Sequence, residues 1–507
     1  LQDEWRVNSK VTLSSGLRYE RESIVEDNNN WGPRLGLAYS PFKDNKTVVR
    51  LGTGIFYNRA LLRTLDDYAL GRQQQSFDSR NLAGPSLDAD CFLAANATRP
   101  RCVFLQQLGT NFPAVPTYDQ LSQLGGFATA GTFTRRLDED LKIPESYQFN
   151  VGFERDLGSG IAFEANFTLN KTVRLWRETN VNAFILPSGF NTYTDYLESI
   201  NEGTTRFRLC PQSTSDTCVI NGFTYVNLNS TNRSTAATSP IGRANAALGT
   251  RLNRGVNNSL GQIEQVGSMG SSVYEGLILE LRRRFRPLGS GFGASFRAVY
   301  TLSRLRDDGI VNTSSAQIPG DFDSEFGLSV QDRRHRFALS GSFEMPNWLG
   351  KLRFSPILRI ASGNPFNLSS GGIDRSLDDV SNDRPNFTGN LEDLRYRNPG
   401  DPFPEAVLNS LTLAPIGSPG NLPRNAGRGP AQFIFDLNAS REFRITERIR
   451  IRPNIEVDNV FNARVFTFSS DFINFDNITT AAFRETFLVP QRTLRQRQIR
   501  LGIRVDF

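Results

Sequence analysis

From Ile499 to Phe507 the chain alternates without a miss: Ile499, Leu501, Ile503, Val505 and Phe507 are apolar, and Arg500, Gly502, Arg504 and Asp506 lie between them. Successive side chains of a strand point to opposite faces, so this segment predicts a β-strand with one apolar and one wet side. At the edge of a soluble sheet such a strand would be a template for aggregation. A closed sheet removes that hazard, because its last strand pairs with its first. The apolar row can then face hydrocarbon and the polar row an aqueous interior.

Composition narrows the choice. Of 507 residues, 38% are hydrophobic, and no run approaches the roughly 18 apolar residues of a membrane helix. A membrane-spanning fold here must use strands. Phe (38) and Gly (42) far outnumber Trp, Met and His, which suits strands, turns and aromatic girdles. The formal charge of +6 is spread along the chain. The basic block Arg282, Arg283, Arg284 and Arg286 ends an alternating strand beside a turn, where arginine is readily solvated. Without a recognisable nucleic-acid module beside it, no nucleic-acid partner is expected. The chain shows no initiator Met and no signal peptide, and Leu1 to Trp5 reads as the tail of a strand already under way. A fragment is therefore expected, in which missing targeting signals carry no weight.

Twelve segments read as strands: 11–20, 31–42, 47–58, 144–155, 159–171, 272–285, 290–304, 334–346, 350–361, 430–442, 446–461 and 496–507. Pro41 to Lys46, Asp156 to Gly158, Arg286 to Ser290, Pro346 to Gly350 and Phe443 to Ile445 are short turns, and Arg6 to Lys10 is one more. The links 59–143, 172–271, 305–333, 362–429 and 462–495 are long and alternate with the short turns. Such loops are unusual in compact soluble domains. Short periplasmic turns alternating with longer extracellular loops are the habit of outer-membrane barrels. The fold class is thus all-β, an antiparallel transmembrane β-barrel with about twelve complete strands.

The pattern also assigns faces. Ile449, Ile451, Ile455 and Val457 share one side of their strand, and Arg448, Arg450, Arg452, Asn454, Glu456 and Asp458 the other. Phe149, Val151, Phe153, Ile161, Phe163, Phe167 and Leu169 oppose Asn150, Glu154, Glu164, Asn166 and Asn170. A basic residue facing lipid at mid-depth costs roughly 2–4 kcal/mol, so the charged side belongs in the lumen. Pro453 removes a ladder donor and predicts a bulge or bend. Tyr19, Trp31, Tyr39, Phe42, Phe56, Tyr57, Tyr300, Trp348 and Phe461 lie near strand ends as candidate interfacial aromatics.

Taken together, "WGPRLGLAYSPF", "TVVRLGTGIFYN", "DRRHRFALSGSFEMP", "NDRPNF", "RNAGRGPAQFIFDLNASREFRI" and "RPNIEVDNVFNARVF" resemble the barrel of TonB-dependent outer-membrane receptors, nearest to the Oar-like group abundant in acidobacteria. The likeness covers essentially the whole chain. It implies the last part of a barrel of about 22 strands, with the plug, TonB box and amino-terminal domains outside residues 1–507. It also implies outer-membrane lipid, the plug, the TonB complex and the barrel-assembly machinery as partners, with Phe507 as the terminal assembly signal.

The four cysteines form two local pairs in long loops, Cys91 with Cys102 and Cys210 with Cys218. Even count, close spacing and placement favour disulfides. Metal ligation is the rival, although neither spacing is a zinc pattern and no histidine is near. The single histidine, His335, stands in Asp332-Arg333-Arg334-His335-Arg336 at a strand mouth. It could be a proton-linked switch, but a rim residue in a structural polar cluster is the expectation. Gly289-Ser290-Gly291-Phe292-Gly293 joins two strands and reads as a hairpin turn rather than a phosphate loop. Asp307 and Asp308, then Asp321, Asp323 and Glu325, then Asp374, Asp378, Asp379 and Asp383 could in principle hold calcium; solvated loop carboxylates are the default reading. The Asn-x-Ser/Thr sites at Asn96 and Asn229 carry no weight in a bacterial outer membrane.

The expected function is uptake of a solute (siderophore, cobalamin, glycan or peptide) by a TonB-dependent receptor in the bacterial outer membrane. Arg448, Arg450, Arg452, Glu456, Arg500 and Arg504 would contact the plug or the solute. No cofactor is expected. The alternative is an outer-membrane anchor for adhesion or surface interaction. Enzyme function is not expected, since His335 has no accompanying nucleophile motif.

Overall fold

Period-two alternation builds one antiparallel ladder. In the computed structural model, which describes the chain apart from residues 66–67, 69–81, 84–89, 92, 112–113, 115, 124–133, 200–206, 209–216, 228–254, 257–261, 371–373, 377, 381, 416–417, 468–469, 473–477, 479, 491 and 495, the ladder strands are β1 (Gln2–Arg6), β2 (Val11–Glu22), β3 (Asp27–Tyr39), β4 (Thr47–Tyr57), β5 (Glu145–Gly158), β6 (Ile161–Asn180), β7 (Ile263–Gly289), β8 (Phe292–Asp307), β9 (His335–Glu344), β10 (Arg353–Ala361), β11 (Gln432–Ser440), β12 (Arg450–Asp458) and β13 (Gln498–Asp506). Each pairs antiparallel with the next in sequence. Three short strands, Thr134–Leu137, Gly327–Leu328 and Phe443–Arg444, join the same sheet. Among the described residues no ladder links β1 to β13, so the sheet is not closed.

Register keeps the two faces separate across the sheet. Leu501 lies opposite Ile455, which lies opposite Ala439, then Phe354, Phe343 and Ala294. Farther along, Leu277, Phe167, Val151, Leu51, Leu37, Leu13 and Trp5 form a second unbroken row. Much of this apolar wall is exposed among the described residues: Leu501 is 78% exposed and Ile503 74%. The apolar clusters of buried residues sit instead in the long connections. Phe366, Leu368, Phe387, Leu422, Phe487 and Leu488 join two connections in one cluster, and Leu65, Tyr68 and Leu141 pack on Trp176 and Val266 in another. A soluble sheet would bury its apolar wall and expose its loops; this chain does the reverse.

Several boundaries move. The expected link 172–271 is partly ladder, because β6 continues to Asn180 and β7 begins at Ile263. Trp176 and Val266 are buried against the loop cluster, so packing stabilises pairing beyond the alternating stretch. β7 has 27 residues, far more than the roughly 9–11 that cross a bilayer. The turns expected at 156–158 and 286–290 close instead at Ser159–Gly160 and Ser290–Gly291, where all four residues have positive φ. That is the two-residue hairpin geometry whose twist matches the flanking strands.

Pro453 makes no bulge. Ser440 faces Asn454 and Phe443 faces Ile451 in one register. The ladder lapses only between them, where Arg441 N–H donates to the Pro453 carbonyl at 3.3 Å and proline has no N–H to return. The long connections also hold short helices, including Pro100–Asn111, Tyr193–Ser199, Glu405–Asn409 and Ala481–Thr486. No helix among the described residues is long and apolar enough to cross a membrane.

Candidate functional site

The polar face of the sheet is a wall of cross-strand ion pairs. Glu154 receives Arg50 at 2.9 Å and Arg282 at 2.7 Å. Arg297 meets Glu280 at 2.7 Å, Arg353 meets Glu344 at 2.8 Å, and Arg359 pairs with Asp436. Five of the six wall residues singled out from sequence fall into two ion-pair groups at the β12–β13 end, Arg450, Arg452 and Arg504 around Glu442 and Asp506, and Arg500 with Glu456. Arg452 meets Glu442 at 2.8 Å and Asp506 at 3.4 Å, with Arg450 3.9 Å from Glu442. Arg500 bridges Glu456 at 3.2 Å and Asp458 at 2.8 Å, and Arg504 meets Asp506 at 2.9 Å. Arg448 does not belong to the wall. The hairpin turn lies after Arg444, with Ile445 N–H bonded to the Ile449 carbonyl at 3.0 Å, so Arg448 is exposed in the turn. The expected turn at 443–445 ended too early because Phe443 and Arg444 pair with Ile451 and Arg450. Phe507 follows β13 and is exposed.

Near the loop end of the same face, β8 to β11 enclose a cavity of about 570 Å³ lined by Val299, Thr301, Arg333, Arg336, Arg359 and Gln432, among others. Arg333 donates to the Ser362 carbonyl at 2.9 Å. Burial, and then the neighbouring Arg336, draw its guanidinium below the usual arginine range. Arg336 has no carboxylate partner among the described residues. Two cations held side by side over hydrogen-bonding neighbours favour an anionic or acceptor-rich group between them. Sequence reading missed this pair. The signal was the basic run around His335, where attention fell on the imidazole instead of its neighbours.

The connections above the cavity are tied by buried charge pairs. Arg177, at the top of β6, donates to Asp308 at 2.7 Å and to the Gly309 carbonyl at 2.7 Å, with both charged side chains at most 3% exposed. Arg384 grips both oxygens of Glu325 at 2.8 Å, and Arg424 reaches Asp307. The acidic groups expected to be solvated are therefore largely engaged: Asp308, Glu325, Asp378 and Asp383 are buried. Asp374 accepts the Asp378 and Asp379 N–H groups at 3.1 and 3.0 Å. Burial, reinforced by Asp383 and Asp379, raises the Asp374 pKa to about 7. Burial and Asp374 raise Asp378 to about 8. Burial raises Asp383 to about 6 against the opposing N–H bonds from Ser376 and Arg375.

Cys91 and Cys102 are disulfide-bonded with Cα atoms 4.9 Å apart. Cys218 is also disulfide-bonded; Cys210 lies outside the described residues, as does Asn229. His335 shares a 2.8 Å hydrogen bond between its Nδ1 and the Tyr300 hydroxyl.

A family model described as an outer membrane beta barrel domain matches residues 21–499. The TonB-dependent transporter Oar of Myxococcus xanthus is 26% identical over 204 residues, covering 37% of this chain and 18% of that protein. Among solved structures, the outer membrane transporter YddB from Escherichia coli is similar with a TM-score of 0.46 at 8% identity, over 97% of this chain and 43% of that one. The ferric enterobactin receptor PfeA from Pseudomonas aeruginosa, solved in complex with BCV-L6, is similar with a TM-score of 0.46 at 12% identity, over 100% of this chain and 44% of that one. The chain spans less than half the length of each of these proteins.

Proposed function

Because the chain belongs to the outer-membrane β-barrel family and lies in the bacterial outer membrane, we propose that it forms the carboxy-terminal part of the barrel of a TonB-dependent receptor that takes up a solute. The observation that carries this reading is the division of labour on the polar face. Its β12–β13 end is neutralised by its own acids, while the cavity under the loops presents Arg333 and Arg336. A self-neutralised wall suits contact with a mixed-charge plug. A cationic cavity beneath ordered loops suits capture of an anionic or acceptor-rich solute, such as a siderophore, cobalamin, a glycan or a peptide. In this reading Arg450, Arg452, Glu456, Arg500 and Arg504 contact the plug, and the barrel supplies binding and a conduit rather than covalent chemistry. Energy reaches it through the plug and the TonB complex, and folding through the barrel-assembly machinery.

The test compares a strain carrying the full-length gene with its deletion and with a TonB-deficient strain. Depletion of a panel of ferric siderophores, cobalamin, oligosaccharides and peptides from the medium is measured. Energy-dependent loss of one solute, weakened by Arg336→Glu, is expected. If no solute is depleted but deletion abolishes surface attachment, the protein is an anchor instead.

A further inference from the structure

A second basic cavity, of about 840 Å³, opens on the other face of the same strands. Arg304, Arg334, Arg395 and Arg428 line it, together with His335 and Tyr396. All four guanidinium-bearing residues are exposed, and none has a carboxylate partner among the described residues; the Arg395 guanidinium donates to the Glu392 carbonyl at 2.7 Å. The acid that lines the cavity, Asp332, is buried and accepts the Leu305 N–H at 2.7 Å. The contrast with the polar wall is the basis of the reading: there the arginines bring their own counter-charges, whereas here the guanidinium groups are open to the negative charge of a ligand.

Register places this cavity relative to the apolar wall. Tyr300, Phe337, Ile360 and Phe433 form one row of that wall. Leu302 and His335 form the next row toward the long loops, and Ser362 N–H bonds the His335 carbonyl at 2.9 Å. Two residues of strand rise about 7 Å, and the headgroup zone on each side of a hydrocarbon core is roughly 5–8 Å deep. The Tyr300 hydroxyl bonded to His335 marks the boundary, as aromatic residues do at membrane interfaces.

We propose that this cavity binds the phosphate groups of an outer-leaflet glycolipid headgroup, with Arg304, Arg334, Arg395 and Arg428 as the phosphate ligands. Guanidinium matches phosphate geometry through paired N–H donors, and an apolar wall directly beneath accommodates the acyl chains of the same molecule.

The experiment uses the full-length protein in a neutral detergent, titrated in parallel with bis-phosphorylated lipid A, dephosphorylated lipid A and inorganic phosphate, and read by native mass spectrometry and thermal shift. Bis-phosphorylated lipid A is expected to bind and raise Tm, and the dephosphorylated lipid to do neither. The double variant Arg395→Gln, Arg428→Gln is expected to bind about tenfold more weakly, the loss of one or two charge-assisted contacts, with unchanged heat-modifiable migration. Equal binding of the two lipids, or a double variant that binds like wild type, overturns the proposal. Inorganic phosphate that binds alone and displaces the lipid makes this a free-phosphate site and overturns the lipid assignment. If the double variant does not assemble, the wild-type comparison of the two lipids decides the matter.

Discussion

The fate of a side chain here depends on which face of the sheet it occupies. Ile455 stands on the apolar wall, opposite Leu501 and Ala439, while Arg452, on the same strand, faces Glu442 and Asp506. Arginine on a lipid face costs about 2–4 kcal/mol at mid-depth, whereas an exposed ion pair contributes about 0–1 kcal/mol. Ile455→Arg is therefore expected to lower the unfolding free energy in vesicles by about 2–4 kcal/mol, and Arg452→Ile by less than about 1 kcal/mol. Urea titration of both variants checks this, and equal losses would reject the face assignment. Face was legible for these residues because alternation is a local property. The role of Arg336 was not, because its significance depends on Arg333, Arg359 and Gln432 converging from other segments.

Among the elements, the connections behave as packed structure. Loops expected to be solvated share a buried cluster running from Phe366 to Leu488 and ion pairs such as Arg384 with Glu325. Asp374, Asp378 and Asp383 have pKa values raised to about 7, 8 and 6. A carboxyl group whose folded pKa lies above its unfolded value stabilises the fold fully below about pH 4 and loses that contribution as pH rises through the folded value. Packing of this segment is thus expected to loosen progressively from about pH 4 upward, with the contribution gone above the highest folded value of about 8. Hydrogen exchange around Arg375 and Asp383, corrected for intrinsic rates, should show protection falling across that window and a flatter profile in Asp378→Asn; protection that rises with pH would reject it. The Cys91–Cys102 bridge closes a short loop and contributes roughly 2–3 kcal/mol to local stability. Reducing agent should speed protease cutting in the 59–143 connection while the ladder strands stay protected. Unchanged cutting would mean that loop packing, not the bridge, holds this segment.

At the scale of the molecule, an exposed apolar wall, a charged inner face and a packed cap of connections describe a protein whose solvent differs between its two faces. The full-length product in outer-membrane fractions is expected to migrate differently before and after boiling, because a detergent-resistant closed sheet keeps its shape until heated. Identical migration would show that the open ladder of β1 to β13 is not completed into such a sheet. The same geometry separates two basic cavities by face, one lined by Arg333 and Arg336 and the other by Arg304, Arg334, Arg395 and Arg428. Solute uptake and lipid binding can consequently be tested with different arginines.

Local sequence alone determined the strands, their faces and the alternation of short turns with long links, because a two-residue period needs only neighbouring residues to be read. It located β2 to β5 within a few residues, apart from the Asp27 start of β3, and placed Arg450, Arg452, Glu456, Arg500 and Arg504 on one polar face. The tertiary structure decided what no local pattern contains. Trp176 and Val266 extend a hairpin past its alternating stretch because Leu65, Tyr68 and Leu141 bury them. Arg177 finds Asp308 across 131 residues of chain, and Pro453 keeps its register because β13 continues to pair with β12 on its other side. Burial and counter-charge are set by partners distant in sequence, so the cap, the two arginine cavities and the raised carboxyl pKa values exist only once the chain has folded.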